Sequence, residues 1–444
     1  MLNSKVPTDV RLLVLDPGHF HAALVQRKRL PGVSECVHAY APRSSGLEEY
    51  LARIQSFNSR DQEPTNWETV VHASPDFLET MLREKPGNFV ILAGNNRRKT
   101  EYLKACVESG LNVLSDKPVC IDEGGFSLLQ AAMALAQQNR VLVSDMMTER
   151  FEITSILQRR IIQAPEVFGE LEHGTPEMPA VRKESVHYLR KRVAGKDLIR
   201  PPWYFDVRQQ GEGIVDVSTH LIDLVMWTCF PEQSVDYKKD VNLLEARRWF
   251  TPISLEQYRA STGWEQFPDY LKTDIGSDQC LHFYCNGEVS YRLRSVHVRI
   301  TVMWRYEDPA GGGDTHFSTV LGTRARIVVR QGKEESFRPE LYIEPGSQIN
   351  REEWSRELKR LANSIGSDYP GVALIQGNSH WRIFIPDVHR AGHEAHFSQV
   401  TENFLESLRH GQLPVWEVPN MLAKYYATTT ALKMAREETN AREN

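Results

Sequence analysis

From Arg11 onward, short apolar runs alternate with stretches of helical character: RLLVL at 11–15, CVHAY at 36–40, NFVILAG at 88–94, LNVLSDKP at 111–118 and RVLVSDM at 140–146. Apolar residues in unbroken succession suit strands that are covered on both faces, the situation in a parallel sheet flanked by helices. Between the last two runs, residues 122–138 carry Leu128, Leu129, Ala132, Leu135 and Ala136 at helical spacing, so this segment crosses over as a helix. The pattern predicts an α/β domain over residues 1–150, built on a doubly wound parallel sheet.

A chain of 444 residues exceeds the roughly 250 that one core supports, so a second domain is expected over residues 151–444. There the sequence changes character. LHFYCNGEVSYRLRSVHVRITVMW, around 281–304, reads as long strands, and predicts an α+β domain with a large, mostly antiparallel open sheet. Residues 395–439 turn helical, with Phe397, Val400, Phe404, Leu405 and Leu408 on one face, a break at GQLP and a second helix; these last helices are expected to pack back on the domain. The Pro-, Gly- and charge-rich stretch 331–390 reads as loops laid over the sheet.

Charge narrows the partners. With 53 basic and 58 acidic residues, a net of -5, the chain has no general attraction for a nucleic-acid backbone or an anionic membrane. No apolar run reaches the roughly 20 residues that span a bilayer, and MLNSKVPTD lacks the apolar core of a signal peptide. A small-molecule ligand and a cytoplasmic location are expected. Cys36, Cys106, Cys120, Cys229, Cys280 and Cys285 form no CxxC pair and read as reduced core residues.

A strand entering a glycine-rich turn and a helix offers backbone N–H groups to a pyrophosphate. Here the turn is Asp16-Pro17-Gly18-His19-Phe20-His21, which keeps only the middle glycine of G-x-G-x-x-G. Gly18, His19 and Phe20 are the candidate cofactor-binding residues of a Rossmann-type domain. The same turn also reads as a plain strand-to-helix connection capped by Asp16, whose charge would oppose an anionic ligand unless screened. After the second strand, AYAPRSSG offers Arg43 where an NAD site would want an acidic residue. A cation there suits the 2′-phosphate of NADP, and equally suits an ordinary solvated loop.

Lys117 follows the strand at 111–114 and so lies at the carboxyl edge of the parallel sheet, where ligands bind, although a lysine before a proline is also a common surface feature. Asp216 and His220, spaced i, i+4 within GEGIVDVSTHLID, are expected on one helix face with Asp223 nearby. A carboxylate beside an imidazole can orient it for proton transfer near neutral pH; a satisfied core histidine is the plainer alternative.

These pieces together resemble the Gfo/Idh/MocA family of oxidoreductases, and the resemblance covers nearly the whole chain. Ser109 to Pro118 is similar to the family's A-G-K-H-V-x-x-E-K-P, which implies a place for Lys117 near a nicotinamide. Glu212 to His220 is similar to G-G-x-x-x-D-x-G-x-H with two glycines replaced, which implies substrate binding and proton transfer by Asp216 and His220. Arg150-Phe151 resembles the R-F pair at the family's domain junction, and Leu321-Gly322-Thr323 a late E-G-T turn. Gly94-Asn95-Asn96, with Lys99, stands where the family shows T-P-N and then histidine, so Asn95 and Asn96 inherit a cofactor-binding place. The likeness is to a branch that opens DPGHFHAAL and carries QGEGIVDV. It implies NAD or NADP as cofactor and a homodimer or homotetramer that covers the open sheet.

The expected reaction is oxidation of a sugar, glycoside or polyol hydroxyl by hydride transfer, with catalytic Lys117, His220 and Asp216; a general base contributes roughly 10²–10⁴-fold. Arg150, Tyr188, Trp203 and Tyr204 are the candidate substrate contacts, with core packing the alternative for the aromatic rings. Redox cycling that cleaves glycosides with a retained NAD, and a non-catalytic sugar- or nucleotide-sensing role, are the rival readings. His19 with His21, and His389, His393 and His396 at i, i+4, i+7, read as a helix start and an ordinary helix face, so no metal is expected.

Overall fold

Leu12, Leu13, Val14 and Leu15 have at most 1% of their surface exposed, as the first strand of a sheet sandwiched between helices requires. The computed structural model describes residues 10–193, 196–307 and 312–443. Its first part runs β1 (Leu12–Leu15), α1 (His21–Leu24), β2 (Cys36–Ala41), α2 (Ser45–Ser59), β3 (Glu68–Ala73), α3 (Phe77–Glu84), β4 (Phe89–Leu92), α4 (Lys99–Glu108), β5 (Asn112–Ser115), α5 (Glu123–Asn139) and β6 (Val143–Asp145). All six strands are parallel, in the order β3-β2-β1-β4-β5-β6, the doubly wound arrangement.

No apolar run marks β3 in the sequence, and the reason is physical. β3 is an edge strand whose Val70 and Val71 are each 41% exposed, so it lacks the buried apolar run that marks its neighbours.

The second part continues with α6 (Ile153–Ile162), β7 (Val181–Tyr188), a small ribbon of β8 (Arg192–Val193) and β9 (Lys196–Asp197), α7 (Val207–Gln210), α8 (Ser218–Cys229), α9 (Tyr237–Asp240), β10 (Val241–Ile253) and α10 (Leu255–Thr262). It goes on through β11 (Leu281–Leu293), β12 (Val296–Arg305), β13 (Thr315–Leu321), β14 (Ala325–Gln331), β15 (Glu340–Pro345), α11 (Arg351–Asp368), β16 (Ala373–Gln376), β17 (Trp381–Phe384), α12 (His393–His410) and α13 (Glu417–Glu443). Nine strands form one sheet, β10-β11-β12-β7-β13-β14-β15-β17-β16, antiparallel throughout except for β12 beside β7. Helices α6 and α8 pack against each other and against this sheet.

The stretch 331–390 is not a set of loops. It holds β15, the 18-residue α11, β16 and β17. In α11 only Trp354, Leu358, Ala362 and Ile365 are buried, about one residue per turn, and the charged residues between them dilute the helical signal in any compositional reading. Trp354 is completely buried and donates its indole N–H to Val167 O at 2.8 Å. Cys106, Cys120, Cys229 and Cys285 are core residues as expected, whereas Cys36 and Cys280 are half-buried; all six are free thiols.

The chain divides into two units. The first takes the residues up to Thr148, Arg208–Gly211 and Gly392–Thr429; the second takes Glu149–Val207, Glu212–Ala391 and the residues from Thr430 onward. Within the first unit α12 packs on α1, with the Phe404 ring 5.1 Å from Phe89. Further along, Lys424 Nζ and Tyr425 Oη donate to the Asp145 carboxylate at 3.0 and 2.7 Å, with both partners of the ion pair wholly buried. Among the described residues no helix is long and apolar enough to cross a membrane.

Candidate functional site

The turn after β1 departs from the sequence expectation at its first residue. Helix α1 begins at His21 with Phe20 in the N-cap position, so Asp16 does not cap it. Asp16 instead adopts φ +48°, the left-handed conformation that glycine usually fills and that asparagine and aspartate tolerate better than most other residues. Burial pushes the pKa of its carboxyl up, against the opposing pull of Arg98.

Two glycines outside the motif permit the tight packing of this turn. A Cβ on Gly94 would lie 2.1 Å from Asp16 O, and one on Gly46 would lie 2.9 Å from Gly18 Cα. Gly18 itself has ordinary room, the nearest atom to a Cβ there being Gly94 Cα at 3.7 Å. The protein's own packing therefore does not require a glycine at 18. Gly18 N–H donates to Asp16 O at 2.7 Å and His19 N–H to Ala93 O at 3.1 Å, which leaves the N–H groups of Phe20 and His21, at the start of α1, without a backbone partner among the described residues.

The other candidate cofactor residues are placed as follows. Arg43 is exposed, just past the carboxyl end of β2, while Ser44 caps α2 by accepting from Leu47 N–H at 3.3 Å. Asn95 donates to Gln209 Oε1 at 2.7 Å and accepts from Arg97 N–H at 3.0 Å. Asn96 donates its side-chain amide to Gln210 O at 2.7 Å and its N–H to Gln209 O at 3.0 Å. Both asparagines thus tie down residues 209 and 210.

Lys117 is half-buried, two residues past the end of β5, and is joined to Pro118 by a cis peptide bond. Lys99, noted in the sequence only as a departure, explains how that segment is held. It is 2% exposed, and its ammonium donates to Asp116 O at 3.1 Å and Pro118 O at 3.2 Å, one carbonyl on either side of Lys117. Thr100 Oγ1 adds a bond to Val119 O at 2.7 Å, and Val119 N–H donates to Tyr425 Oη at 3.1 Å.

Asp116 was not singled out by the sequence, because its partners lie 95 positions away. His21 Nδ1 stands 2.9 Å from its Oδ2, and His19 Nδ1 stands 3.4 Å from the same atom. Burial drives the pKa of His21 down to about 3, keeping the ring neutral, while His21, His19 and Lys99 outweigh the burial of Asp116 and keep it ionised. The other histidine grouping comes apart: His389 closes a separate short turn and donates to Pro370 O at 2.8 Å, and only His393 and His396 belong to α12.

In the second unit, α8 starts at Ser218, so Asp216 lies in the preceding turn and does not share a helix face with His220. Asp216 is 6% exposed and His220, in the first turn of α8, is half-buried. Asp223 is engaged by Arg150, which grips it through Nε and Nη2 at 2.7 and 2.6 Å. Asp223 therefore fixes Arg150 to α8. The segment before α8 is pressed onto β11: a Cβ on Gly213 would lie 2.0 Å from Cys285 O. Glu212, one of the two glycine replacements, is 1% exposed and accepts from Arg248 at 2.7 Å and Arg436 at 2.9 Å, so its buried charge is compensated twice.

Of the candidate substrate residues, Trp203 is half-buried in a short turn, and Tyr188 is 7% exposed at the end of β7. Tyr204 is a core ring: Arg200 lies 4.3 Å over it, and Phe205, Phe283 and Trp304 surround it. His187 and Lys191 both contact Asp314, at 3.0 and 2.8 Å, an arrangement with no counterpart in the local sequence. The turn at Gly322 joins β13 to β14, and a Cβ there would meet Phe168 O at 2.3 Å, which accounts for the glycine.

A family model described as "Putative oxidoreductase C terminal domain" matches residues 157–436. Among solved structures, a "putative oxidoreductase" from Parabacteroides merdae is 51% identical, with 98% of this chain and 99% of that one covered at a TM-score of 0.95. A levoglucosan dehydrogenase in complex with NADH and levoglucosan shares 11% identity over 97% of this chain and 98% of that one, TM-score 0.62. A 3-ketoreductase from Actinomadura kijaniata, in complex with NADP and TDP-benzene, shares 11% over 95% and 96%, TM-score 0.55. These two likenesses are of fold. Among curated proteins none matches.

Proposed function

The chain belongs to the Gfo/Idh/MocA-type oxidoreductases, and from that premise we propose that it oxidises a hydroxyl of a sugar, glycoside or polyol with NAD or NADP as hydride acceptor. One observation carries the reading: Lys117 sits immediately past β5 on the carboxyl side of a sheet ordered 3-2-1-4-5-6, with its flanking carbonyls pinned by a buried ammonium. In open α/β sheets, ligands bind outside the carboxyl ends of the strands. The nicotinamide- and sugar-bearing fold relatives support the choice of cofactor and substrate class.

The turn after β1 fits a pyrophosphate. Phe20 and His21 present N–H groups at a helix start, burial raises the pKa of Asp16, and Gly18 lacks a side chain that the protein's own packing would tolerate. Arg43 would take a 2′-phosphate, which favours NADP. When bound, the dinucleotide supplies the hydride acceptor. Within the first unit, Lys117 stabilises negative charge on a substrate oxygen; within the second, His220 accepts a substrate proton at an imidazole nitrogen and Asp216 binds a hydroxyl. Arg150, held rigid by Asp223, and Trp203 contribute substrate contacts.

The test begins with nucleotide released from denatured protein and identified by mass, followed by calorimetric titration of NAD and NADP. A panel of sugars and polyols is then assayed with each cofactor. We expect micromolar or tighter binding of one dinucleotide, and a kcat lowered roughly 10²–10⁴-fold by Lys117→Ala and by His220→Ala. Turnover of glycosides without added cofactor would replace net oxidation by redox cycling, and absence of dinucleotide binding would overturn the proposal.

A further inference from the structure

His19, His21 and Asp116 meet at the carboxyl ends of β1 and β5, all within the first unit. One potential ligand atom from each lies within 4.8 Å of the other two. Both ring Nδ1 atoms face a single carboxylate oxygen, at 2.9 Å for His21 and 3.4 Å for His19. Around an ion with bonds of about 2.0–2.1 Å, neighbouring ligand atoms in octahedral or tetrahedral arrangement stand about 2.9–3.4 Å apart.

A hydrogen bond from His21 to Asp116 would by itself account for the shorter distance. It serves His19 poorly, whose buried Nδ1 meets the same Asp116 Oδ2 at 3.4 Å but out of line for a hydrogen bond. Native proteins seldom leave such an atom unsatisfied, and when they do, an ion or water outside the chain is a standard explanation. The donors are also held in place. The His19 and His21 rings meet edge to face at 4.1 Å, His21 rests on Phe397 at 4.3 Å, and Lys99 fixes the Asp116 carbonyl.

We propose that His19, His21 and Asp116 bind one divalent transition-metal ion of the zinc class. Two imidazoles and a carboxylate suit zinc or iron(II), while magnesium and calcium prefer sets made of oxygen alone. Three protein ligands leave a coordination position open to water or to an oxygen of a bound molecule, as in catalytic zinc sites. The Lys99 ammonium close by opposes the ion's charge and lowers its affinity. The site does not depend on dinucleotide binding, and reverses the expectation from sequence that no metal is held.

The experiment uses the full chain without a histidine tag, freed of metal by a strong chelator. Zn²⁺ is titrated by calorimetry and Co²⁺ by visible absorption, in wild type, His19→Ala and Asp116→Asn, each checked by circular dichroism. Wild type should take up one Zn²⁺ per chain and show Co²⁺ ligand-field bands. His19→Ala should keep its fold and lose well over tenfold in affinity, more than the roughly 10–100-fold range begins with for a missing outer-shell partner. Absence of stoichiometric binding in wild type, or unchanged affinity in a folded His19→Ala, would falsify the proposal. Should Asp116→Asn unfold, the Co²⁺ spectra of wild type and His19→Ala still decide it.

Discussion

Lys183 shows what a single buried charge does to this protein. It lies on β7, 1% exposed, with its ammonium bonded to Gln158 Oε1 at 3.3 Å and Ser318 Oγ at 3.0 Å. Burial lowers its pKa from 10.5 to about 8, and the nearby Cys229 only partly opposes this. The unfolded chain therefore binds more protons than the folded one between about pH 8 and 10.5, so stability should rise with pH across that window. The shift corresponds to a penalty of about 3 kcal/mol below pH 8. Replacing Lys183 by Met should flatten the dependence of the urea midpoint on pH between 8 and 10.5; parallel slopes in the two proteins would refute the assignment. The sequence gives no sign of it, because Lys183 stands in the unbroken polar run Arg182-Lys183-Glu184-Ser185 of β7, where nothing marks the buried lysine apart from its more exposed neighbours.

At the scale of elements, the strands with unbroken apolar runs and the helices at 123–139 and 393–410 could be read from the sequence, since burial on both faces and periodicity leave direct marks. What escaped was structure whose stability comes from elsewhere. β3 borrows its position from β2, and α11 buries one residue per turn. The start of α8 was misplaced because i, i+4 spacing does not say where a helix begins. The candidate site divides in the same way: Lys117 and Gly18 are proposed from local motif, whereas the contacts of Asp116, Lys99 and the Arg150–Asp223 grip depend on residues far apart in the chain. The turn between β1 and α1 gives a prediction. Gly18→Ala should leave stability within about 1 kcal/mol of wild type while weakening dinucleotide binding more than roughly tenfold, because the added methyl has room only when no ligand is present. Gly94→Ala should instead lower the melting temperature by several degrees, since its methyl would collide with Asp16 O. Equal effects of the two substitutions on melting would contradict this division of roles.

For the whole molecule, the first unit is discontinuous in the chain. Its six-stranded sheet is completed by Gly392–Thr429, through Phe404 on Phe89, Phe397 on His21, and the buried Lys424 and Tyr425 bonds to Asp145. A chain stopped at Ala391 should leave Asp145 buried without its cation and the apolar surface under α12 bare. We expect it to bind a hydrophobic dye and to lose the first unit's cooperative melting transition in calorimetry; retention of the wild-type transition enthalpy would show that the unit is self-sufficient. On the ribosome the same connectivity sets a delay. The segment that closes the sheet is synthesised roughly 250 residues after β6, which at ~5–20 residues per second is ~12–50 s of exposure. A nascent chain of this protein must therefore carry an unfinished dinucleotide-type sheet through most of its own translation, and codon usage or chaperone supply over that interval becomes a determinant of its yield.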